Sequence, residues 1–301
     1  MTSPFFIVGP TATGKSEIAV EVAQRCGAEV VNADAFQVYA GLDVLTAKPE
    51  PHLRAAVRHH LVGTAPLWEE MNVEKFRILA RAAIDEIHAR RRPAMVVGGS
   101  GMHVRALTHG LSPLPAADAE LRERLNQCSE RELILRLHEL DPEAARTIDP
   151  KNKRRLVRAL EICLLTQKPA SLQRTSWKEA TAARGVFLFR DRAELYERIN
   201  RRVEMMFASG VVEEVRAAGE VGPTAAKTLG LAQIRELIAG HLSEAECIAT
   251  MQQATRRYAK RQLTWFQRQS NFEPLNLSLH GSAEAIELIS RKARLSFAQA
   301  G

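Results

Sequence analysis

The chain has 301 residues, of which 46% are hydrophobic and 26% are charged. That length suits one large α/β domain with an insertion, or two domains. The net charge of +7 favours a polyanionic partner. The four cysteines are far apart and form no CxxC pair, which argues against a zinc site and a disulfide framework and fits a reducing cytoplasm.

The sequence shows no pattern typical of a targeting signal. The N-terminus has no basic segment, and its apolar run Phe5–Val8 is too short for a signal peptide. No stretch approaches the length of a membrane span. We therefore expect a cytoplasmic protein without a membrane partner, and a monomer, because no dimer seam is visible.

Strand and helix patterns alternate through the first hundred residues. Phe5–Val8, Glu29–Asn32 and Ala94–Val97 are short apolar runs typical of buried strands. Glu17–Arg25 and Phe76–Arg90 have the apolar periodicity of helices. Strands that alternate with helices in this way indicate a parallel sheet.

The pattern changes at the breaker cluster Ser112–Pro115, after which only helical periods and turns follow until about Ala183. Val186–Phe189 is typical of a returning strand, and Tyr196–Ala218 and Ser243–Arg268 of long helices. We therefore predict an α/β fold, a P-loop NTPase-like parallel sheet flanked by helices, with an all-helical insertion domain. The predicted core comprises residues 1–115 and 185–301, and the predicted insertion comprises residues 116–184.

The segment after the first strand, GPTATGKS, matches the P-loop pattern GxxxxGK[ST]. Its glycines let backbone N–H groups turn inward around an anion, Lys15 adds a positive charge, and the Ser16 hydroxyl can hold Mg²⁺. The motif predicts a bound diphosphate or triphosphate without distinguishing the two. The predicted phosphate-binding residues are Gly9, Pro10, Thr11, Ala12, Thr13, Gly14, Lys15 and Ser16.

Polar residues follow the second and third predicted strands. Ligands of open α/β sheets sit beyond the carboxyl ends of the strands, so Asp34 is expected near the P-loop. There a carboxylate can accept a proton or help to hold Mg²⁺, or it can simply cap the turn after its strand. The third strand ends in Gly98–Gly101, which brings the Ser100 hydroxyl to the same rim.

These motifs make the sequence similar to the bacterial tRNA dimethylallyltransferases, also called tRNA isopentenyltransferases. The similarity runs almost from end to end. The matching segments are GPTATGKS at 9–16, DAFQVYAGLDVLTAKP at 34–49, HHL at 59–61, GGSGMHVRAL at 98–107, GLSPLP at 110–115, RRLVRALEI at 154–162, DRAELYERINRRVEMM at 191–206 and TRRYAKRQLTWF at 255–266. The chain departs from the family pattern at Ala35, Leu45 and His103, where the family usually has serine, glycine and tyrosine.

The resemblance implies that the P-loop binds the diphosphate of dimethylallyl diphosphate, with Mg²⁺, and not a nucleotide. The N6 amine of the adenosine just 3′ of the anticodon would attack the allylic carbon, and pyrophosphate would leave. Because the lone pair of that amine is delocalised into the ring, a carboxylate that accepts its proton helps, and Asp34 is the candidate base. Ser100, by resemblance, contacts the diphosphate or the reacting adenine. Gly14, Lys15 and Ser16 would stabilise the leaving group.

The resemblance also implies which residues contact the anticodon stem-loop of the tRNA. A basic cluster, Lys151 to Arg158, includes Arg154 and Arg158 four residues apart on one helix face. A solvated basic helix is the alternative for this cluster. The implied tRNA-contacting residues are Asp34, Ala35, Phe36, Gln37, Ser100, Arg122, Arg154, Arg155, Leu156, Val157 and Arg158.

A second basic surface is predicted near the C-terminus. At 100° per residue, Thr255–Arg268 divides into two faces. Such a helix would pack against the protein through its aromatic residues. Its exposed row of basic side chains could bind successive phosphates of a nucleic-acid backbone. The target base must leave its stack to reach Asp34, which is easiest in a single-stranded loop. One face carries Arg257, Arg261, Thr264 and Arg268, and the other carries Tyr258, Ala259, Gln262, Trp265 and Phe266.

Three alternatives remain open. A small-molecule P-loop kinase predicts ATP turnover and does not need the basic C-terminal helix. An adenylate isopentenyltransferase shares the P-loop and the aspartate motif but acts on a free nucleotide, and the basic C-terminal half argues against it. A non-catalytic RNA-binding protein would not need an intact Lys15, Ser16 and Asp34.

Overall fold

The computed structural model of the chain describes residues 3–112, 114–173 and 183–299. Pro113, in the predicted breaker cluster, and residues 174–182, at the end of the predicted insertion, lie outside the described residues. The chain folds into two compact units, one of Met1–Thr108 with Thr181–Gly301 and one of His109–Ala180. They are called the sheet unit and the helical unit below.

The sheet unit is built on a six-stranded sheet in which every named pair is parallel. The strand order is β3-β2-β4-β1-β5-β6, so the strand that leads into the P-loop lies between two neighbours from much later in the chain. The strands are β1 (Phe5–Val8), β2 (Glu29–Asn32), β3 (His59–His60), β4 (Ala94–Gly98), β5 (Arg184–Phe189) and β6 (Glu273–Asn276).

Helices cover both faces of this sheet. Side chains of β1 alternate between two cores: Phe6 and Val8 pack in the core that contains Phe76, whereas Phe5 and Ile7 pack in the core that contains Ile289. The helices of the sheet unit are α1 (Lys15–Cys26), α2 (Pro51–Ala56), α3 (Val73–Ala89), α4 (Gly101–His109), α10 (Arg192–Ala208), α11 (Val211–Ala217), α12 (Leu231–Ile238), α13 (Glu244–Gln269) and α14 (Ser282–Ala298).

The helical unit contains helices and no strand within its described residues. Leu133, Leu137, Leu156 and Leu160 are fully buried in a core of its own. Its helices are α5 (Ala119–Gln127), α6 (Glu130–Leu140), α7 (Pro142–Thr147), α8 (Lys153–Thr166) and α9 (Ala170–Gln173). The predicted fold class, a parallel sheet flanked by helices with an all-helical insertion, is therefore confirmed.

Two details of the predicted elements are wrong. The predicted helix Tyr196–Ala218 is two helices, because the chain turns at Gly210 in a left-handed conformation and α11 starts after it. Strands β3 and β6 were not predicted, since β3 has only two polar residues and β6 has no apolar run. Among the described residues, no helix is long and apolar enough to cross a bilayer.

Candidate active site

The P-loop leaves the carboxyl end of β1 and closes on itself before α1 begins. Gly14 caps α1 in a left-handed conformation (φ +90°). The Thr13 hydroxyl and the Lys15 ammonium both donate to the carbonyl of Pro10 at 3.0 Å. The positive end of α1 is thereby presented to whatever anion occupies the loop.

A cavity of about 860 Å³ opens in front of the loop. Such a position, beyond the carboxyl ends of parallel strands, is where open α/β sheets bind ligands. Asp34 lines the same cavity as the phosphate-binding loop, so the structure brings these two predicted features together. The lining includes Thr11, Ala12, Gly14, Lys15 and Ser16 of the loop, Asp34 and Gln37 after β2, the segment 43–51, and Arg198, Arg201 and Arg202 of α10.

Three arginines hold the P-loop from the side of β5 and α10. Arg190 Nε donates to the carbonyl of Thr13 at 2.9 Å, and Arg198 Nε donates to that of Ala12 at 2.8 Å. Arg202 donates to the Thr11 hydroxyl at 3.0 Å. Sequence reasoning missed these arginines, because their partners lie more than 170 residues away. Arg198 and Arg202 belong to the matching segment 191–206, whereas Arg190 lies just before it. They concentrate positive charge around the loop.

The electrostatics of the cavity favour an anion. Burial lowers the pKa of the Lys15 ammonium to about 8, although the neighbouring Asp34 acts in the opposite direction. Burial also lowers the pKa of Arg202. Positive groups that have lost water and lack a full counter-charge are stabilised when an anion binds.

Asp34 is held in a turn after β2. Its Oδ1 accepts a hydrogen bond from the backbone N–H of Phe36 at 3.0 Å, and its own N–H donates to the Asn32 side chain at 3.2 Å. Within the described chain no hydrogen-bond partner is found for Oδ2. One oxygen therefore caps the turn, as the alternative interpretation required, and the other remains available for chemistry.

Ser100 lies beside that turn. Its hydroxyl oxygen accepts a hydrogen bond from the backbone N–H of Ala35 at 2.9 Å, and the Tyr258 side chain lies near it. Burial raises the pKa of Tyr258, so the phenol stays protonated. Ser100 is thus tied to the segment that carries Asp34.

The oxygen donors at the cavity fit a magnesium ion. Mg²⁺ prefers oxygen ligands and keeps several waters or substrate phosphate oxygens in its shell. The Ser16 hydroxyl and the Asp34 carboxylate both line the cavity. Among the described residues, no group of three or more His, Cys, Asp or Glu side chains could hold a metal. The ion would therefore rely on the oxygens of a bound diphosphate.

The segment Asp34–Gln37 is half-buried at the cavity. The side-chain amide of Gln37 donates to the carbonyls of Thr46 and Ala47, at 3.2 and 2.9 Å. This residue therefore shapes the cavity wall whether or not it also contacts RNA.

In the helical unit, the predicted tRNA-contacting residues fall into three groups. Arg122 and Arg158 form ion pairs with Glu161, whose side chain is fully buried, at 2.9 and 2.5 Å. Leu156 and Val157 are buried in the core of the unit. Their side chains therefore pack inside the helical unit. Arg154 and Arg155 are exposed at the start of α8, so these two can present charge to a phosphate.

The three departures from the family pattern have distinct surroundings. His103 stacks on Phe76 with 4.0 Å between ring centroids, and burial lowers its pKa to about 4. Leu45 is buried in a core with Val203 and Leu231. Ala35 uses its backbone N–H to hold Ser100.

The predicted division of the C-terminal helix α13 is confirmed in part, because Tyr258, Thr264 and Trp265 are all half-buried. Arg257, Arg261 and Arg268 are exposed on one side. Ala259, Gln262 and Phe266 are buried on the other.

Comparisons with known proteins agree with this geometry. The family model described as IPP transferase matches residues 37–269, and a model described as isopentenyl transferase matches residues 3–70. The tRNA dimethylallyltransferase of Akkermansia muciniphila is 42% identical over 281 residues, which cover 93% of this chain and 96% of the relative. The one from an Anaeromyxobacter species is 45% identical over 276 residues, covering 89% and 92%. The crystal structure of the full-length tRNA isopentenylpyrophosphate transferase from Bacillus halodurans has a TM-score of 0.73 at 32% identity and covers 99% of this chain and 98% of that one.

Proposed function

Because this chain belongs to the IPP transferase family, we propose that it transfers the dimethylallyl group of dimethylallyl diphosphate to the N6 amine of the adenosine just 3′ of the anticodon in tRNA, releasing diphosphate. The observation that carries the proposal is the shared cavity, which is lined by both the P-loop and Asp34. It supports one site in which a diphosphate leaving group and a proton acceptor are close together.

The cradle supplies charge for the leaving group. Lys15, Ser16 and the N-terminus of α1 bind the diphosphate, and Arg198 and Arg202 add positive charge from α10. As the allylic carbon–oxygen bond breaks, negative charge accumulates on the diphosphate, and fixed positive groups stabilise that charge. Mg²⁺, held by Ser16, would neutralise part of the same charge when bound.

Asp34 supplies the proton acceptor. The Oδ2 atom accepts the proton of the adenine amine as the new carbon–nitrogen bond forms. Ser100 holds the Asp34–Gln37 segment through Ala35 and would contact the reacting adenine.

Two exposed basic surfaces would dock the tRNA. Arg154 and Arg155 belong to the helical unit, and Arg257 and Arg261 belong to α13 of the sheet unit. Contacts to phosphates provide affinity and orientation but no sequence information, so we assign recognition of the target base to the cavity. The proposal includes a cytoplasmic monomer, in keeping with four free cysteines.

A three-way incubation tests the proposal. The purified protein is given labelled dimethylallyl diphosphate with unmodified tRNA, the same donor with adenosine monophosphate, or labelled ATP with tRNA. We expect label to enter only the tRNA of the first mixture, at the adenosine 3′ of the anticodon, without any ATP requirement. Transfer to the free nucleotide would instead indicate an adenylate isopentenyltransferase, and consumption of ATP would indicate a kinase.

The variant Lys15→Ala serves as the control for this assay. It should raise the KM for dimethylallyl diphosphate and lower the rate, because the cradle loses its central charge. If transfer by this variant matched that of the original protein, the P-loop could not be the diphosphate site.

A further inference from the structure

One buried amide connects three parts of the site. Gln262 lies on the inner face of α13 and is 6% exposed. Its Oε1 accepts a hydrogen bond from the backbone N–H of Thr11 at 3.0 Å, and its Nε2 donates to the carbonyl of Gly99 at 2.8 Å. A single planar group therefore joins the loop that follows β1, the loop that follows β4, and helix α13.

The neighbouring residues of α13 contact the same second loop. The Tyr258 side chain lies near Ser100, and the ring of Trp265 packs against Gly101. The fit is tight, because a Cβ atom on Gly99 would be 2.4 Å from Gln262 Nε2 and one on Gly101 would be 2.3 Å from the Trp265 ring. The glycines of this loop are therefore explained by the close approach of α13.

The hydrogen bonds of Gln262 connect the two loops beyond the point where pairing between β1 and β4 ends. Strands β1 and β4 are paired up to Val8 and Gly98, and one more backbone bond, from the Gly9 N–H to the Gly98 carbonyl at 3.3 Å, follows. Beyond that point the side-chain amide of Gln262 bridges the two loops. An apolar side chain could fill the same space, whereas burying an amide costs free energy unless both its polar atoms are paired.

We propose that Gln262 is a positioning residue that sets the distance between the diphosphate cradle and the Ser100–Asp34 side of the site. The inference rests on the proposed transfer reaction. In that reaction the allylic carbon is bonded to the diphosphate that the P-loop holds, and the attacking amine lies beside Asp34. The two atoms must approach within about 3–3.5 Å, and a misplacement of about 1 Å can cost on the order of 100-fold in rate.

The test compares two glutamines of the same helix. Gln262→Met keeps an unbranched side chain of similar length but loses both hydrogen bonds. Gln252→Met is the matched control, because Gln252 is half-buried and its amide binds the Asn200 carbonyl and the Glu204 carboxylate, away from the loops. Single-turnover transfer at saturating substrate, the KM for dimethylallyl diphosphate and the Kd for tRNA are measured on each variant.

We expect Gln262→Met to lower the single-turnover rate by about 10- to 100-fold. The KM for dimethylallyl diphosphate and the Kd for tRNA should each stay within about three-fold, and Gln252→Met should match the original protein. A purely structural role would lower the thermal midpoint without lowering the saturated rate. An unchanged saturated rate, or a loss seen only as a higher KM, would overturn the positioning role.

A second variant covers the case in which Gln262→Met does not fold. Gln262→Glu keeps an acceptor for the Thr11 N–H but cannot donate to the Gly99 carbonyl, and it should also transfer slowly at saturation. If it transferred at the original rate, the tie to Gly99 would be dispensable and the inference wrong.

The transfer assay on the original protein tests the proposed function separately from the role of Gln262. If that protein transfers nothing from dimethylallyl diphosphate to tRNA, the proposed reaction is wrong. The loop-bridging role is then decided by amide hydrogen exchange. Exchange in the peptide that contains Thr11 should be faster in Gln262→Met than in Gln252→Met, and equal exchange would overturn the inference.

Discussion

At the scale of single residues, the two oxygens of the Asp34 carboxylate have different surroundings. Its Oδ1 stabilises the turn through the N–H of Phe36, while Oδ2 has no hydrogen-bond partner among the described residues. Asparagine can keep the first interaction, because its carbonyl oxygen accepts the same bond and asparagine caps about as well as aspartate. The proposed role as a base requires a group that takes up a proton, which an amide does not do at neutral pH.

The substitution Asp34→Asn should therefore lower single-turnover transfer by about 10²–10⁴-fold while tRNA affinity changes little. The measurement is made over a series of Mg²⁺ concentrations. If Asp34 holds the ion instead, affinity for the diphosphate drops and added Mg²⁺ partly restores the rate. A rate within a few-fold of the original would leave only the capping role.

His103 makes a prediction about stability. Its ring is buried against Phe76, and burial lowers its pKa to about 4 from an ordinary value near 6.5. Between those values the unfolded chain binds a proton at this residue and the folded chain does not. The free energy of unfolding should therefore fall by about 1.4 kcal/mol per pH unit as the pH drops from about 6 toward 4, and level off below.

The variant His103→Phe isolates this effect, because phenylalanine keeps the stacking on Phe76 and does not titrate. The free energy of unfolding is measured with urea at several pH values. Between about pH 4 and 6 its change with pH should be smaller in the variant, because the variant takes up about one proton fewer on unfolding. Equal slopes would show that the ring is already protonated in the folded state or not buried there.

At the scale of elements, α8 carries two kinds of arginine: one that forms an ion pair within the protein, and two that are exposed and could contact RNA. The predicted pair was Arg154 and Arg158, which share a helix face. The structure assigns Arg158, together with Arg122, to the buried carboxylate of Glu161. Arg154 and Arg155 are the exposed pair, so they are the better residues for testing a phosphate contact.

Changing both Arg154 and Arg155 to alanine should weaken tRNA binding and reduce the log–log salt slope of its affinity by roughly 1.5 to 2. The KM for dimethylallyl diphosphate should not change. Arg122→Ala is the contrasting variant: it removes one partner of a buried charge and should lower stability by about 2 kcal/mol. An unchanged salt slope for the double variant would make this end of α8 an ordinary solvated surface.

The elements that the sequence could predict are those whose signal is local. Strand β1 is an apolar run that ends in a phosphate-binding motif, and α13 begins at the capping box of Ser243 and Glu246. Strand β3 could not be predicted, because its two histidines are defined only by pairing with β2. The contacts of Arg198 and Arg202 with the P-loop depend on β5 lying next to β1, which strand order determines and local pattern does not.

At the scale of the whole molecule, each of the two units has a core of its own, in the sheet unit around β1 and in the helical unit around Leu133 and Leu137. A ligand stabilises the cooperative unit that binds it, so the phosphate site and the helical unit should respond differently to the same ligand.

Inorganic diphosphate with Mg²⁺, at about 100 times its Kd, should stabilise the sheet unit by about 2.7 kcal/mol. Hydrogen exchange followed by mass spectrometry should show protection in peptides that contain Gly9–Ser16 and none in peptides from residues 114–173. Protection in the helical unit would show that the two units respond together.

The central position of β1 has a consequence for how the protein is made. Phe5 pairs with Met95 on one side and with Arg184 on the other. At about 5–20 residues per second, the ribosome completes β1 roughly 10–35 s before β5. Throughout that interval an apolar strand has an unpaired edge, which invites misassociation and calls for chaperones. The core of the helical unit comes from one continuous stretch of chain, so this unit can fold before β5 is made. Every residue of that insertion lengthens the delay before the P-loop acquires its flanking arginines.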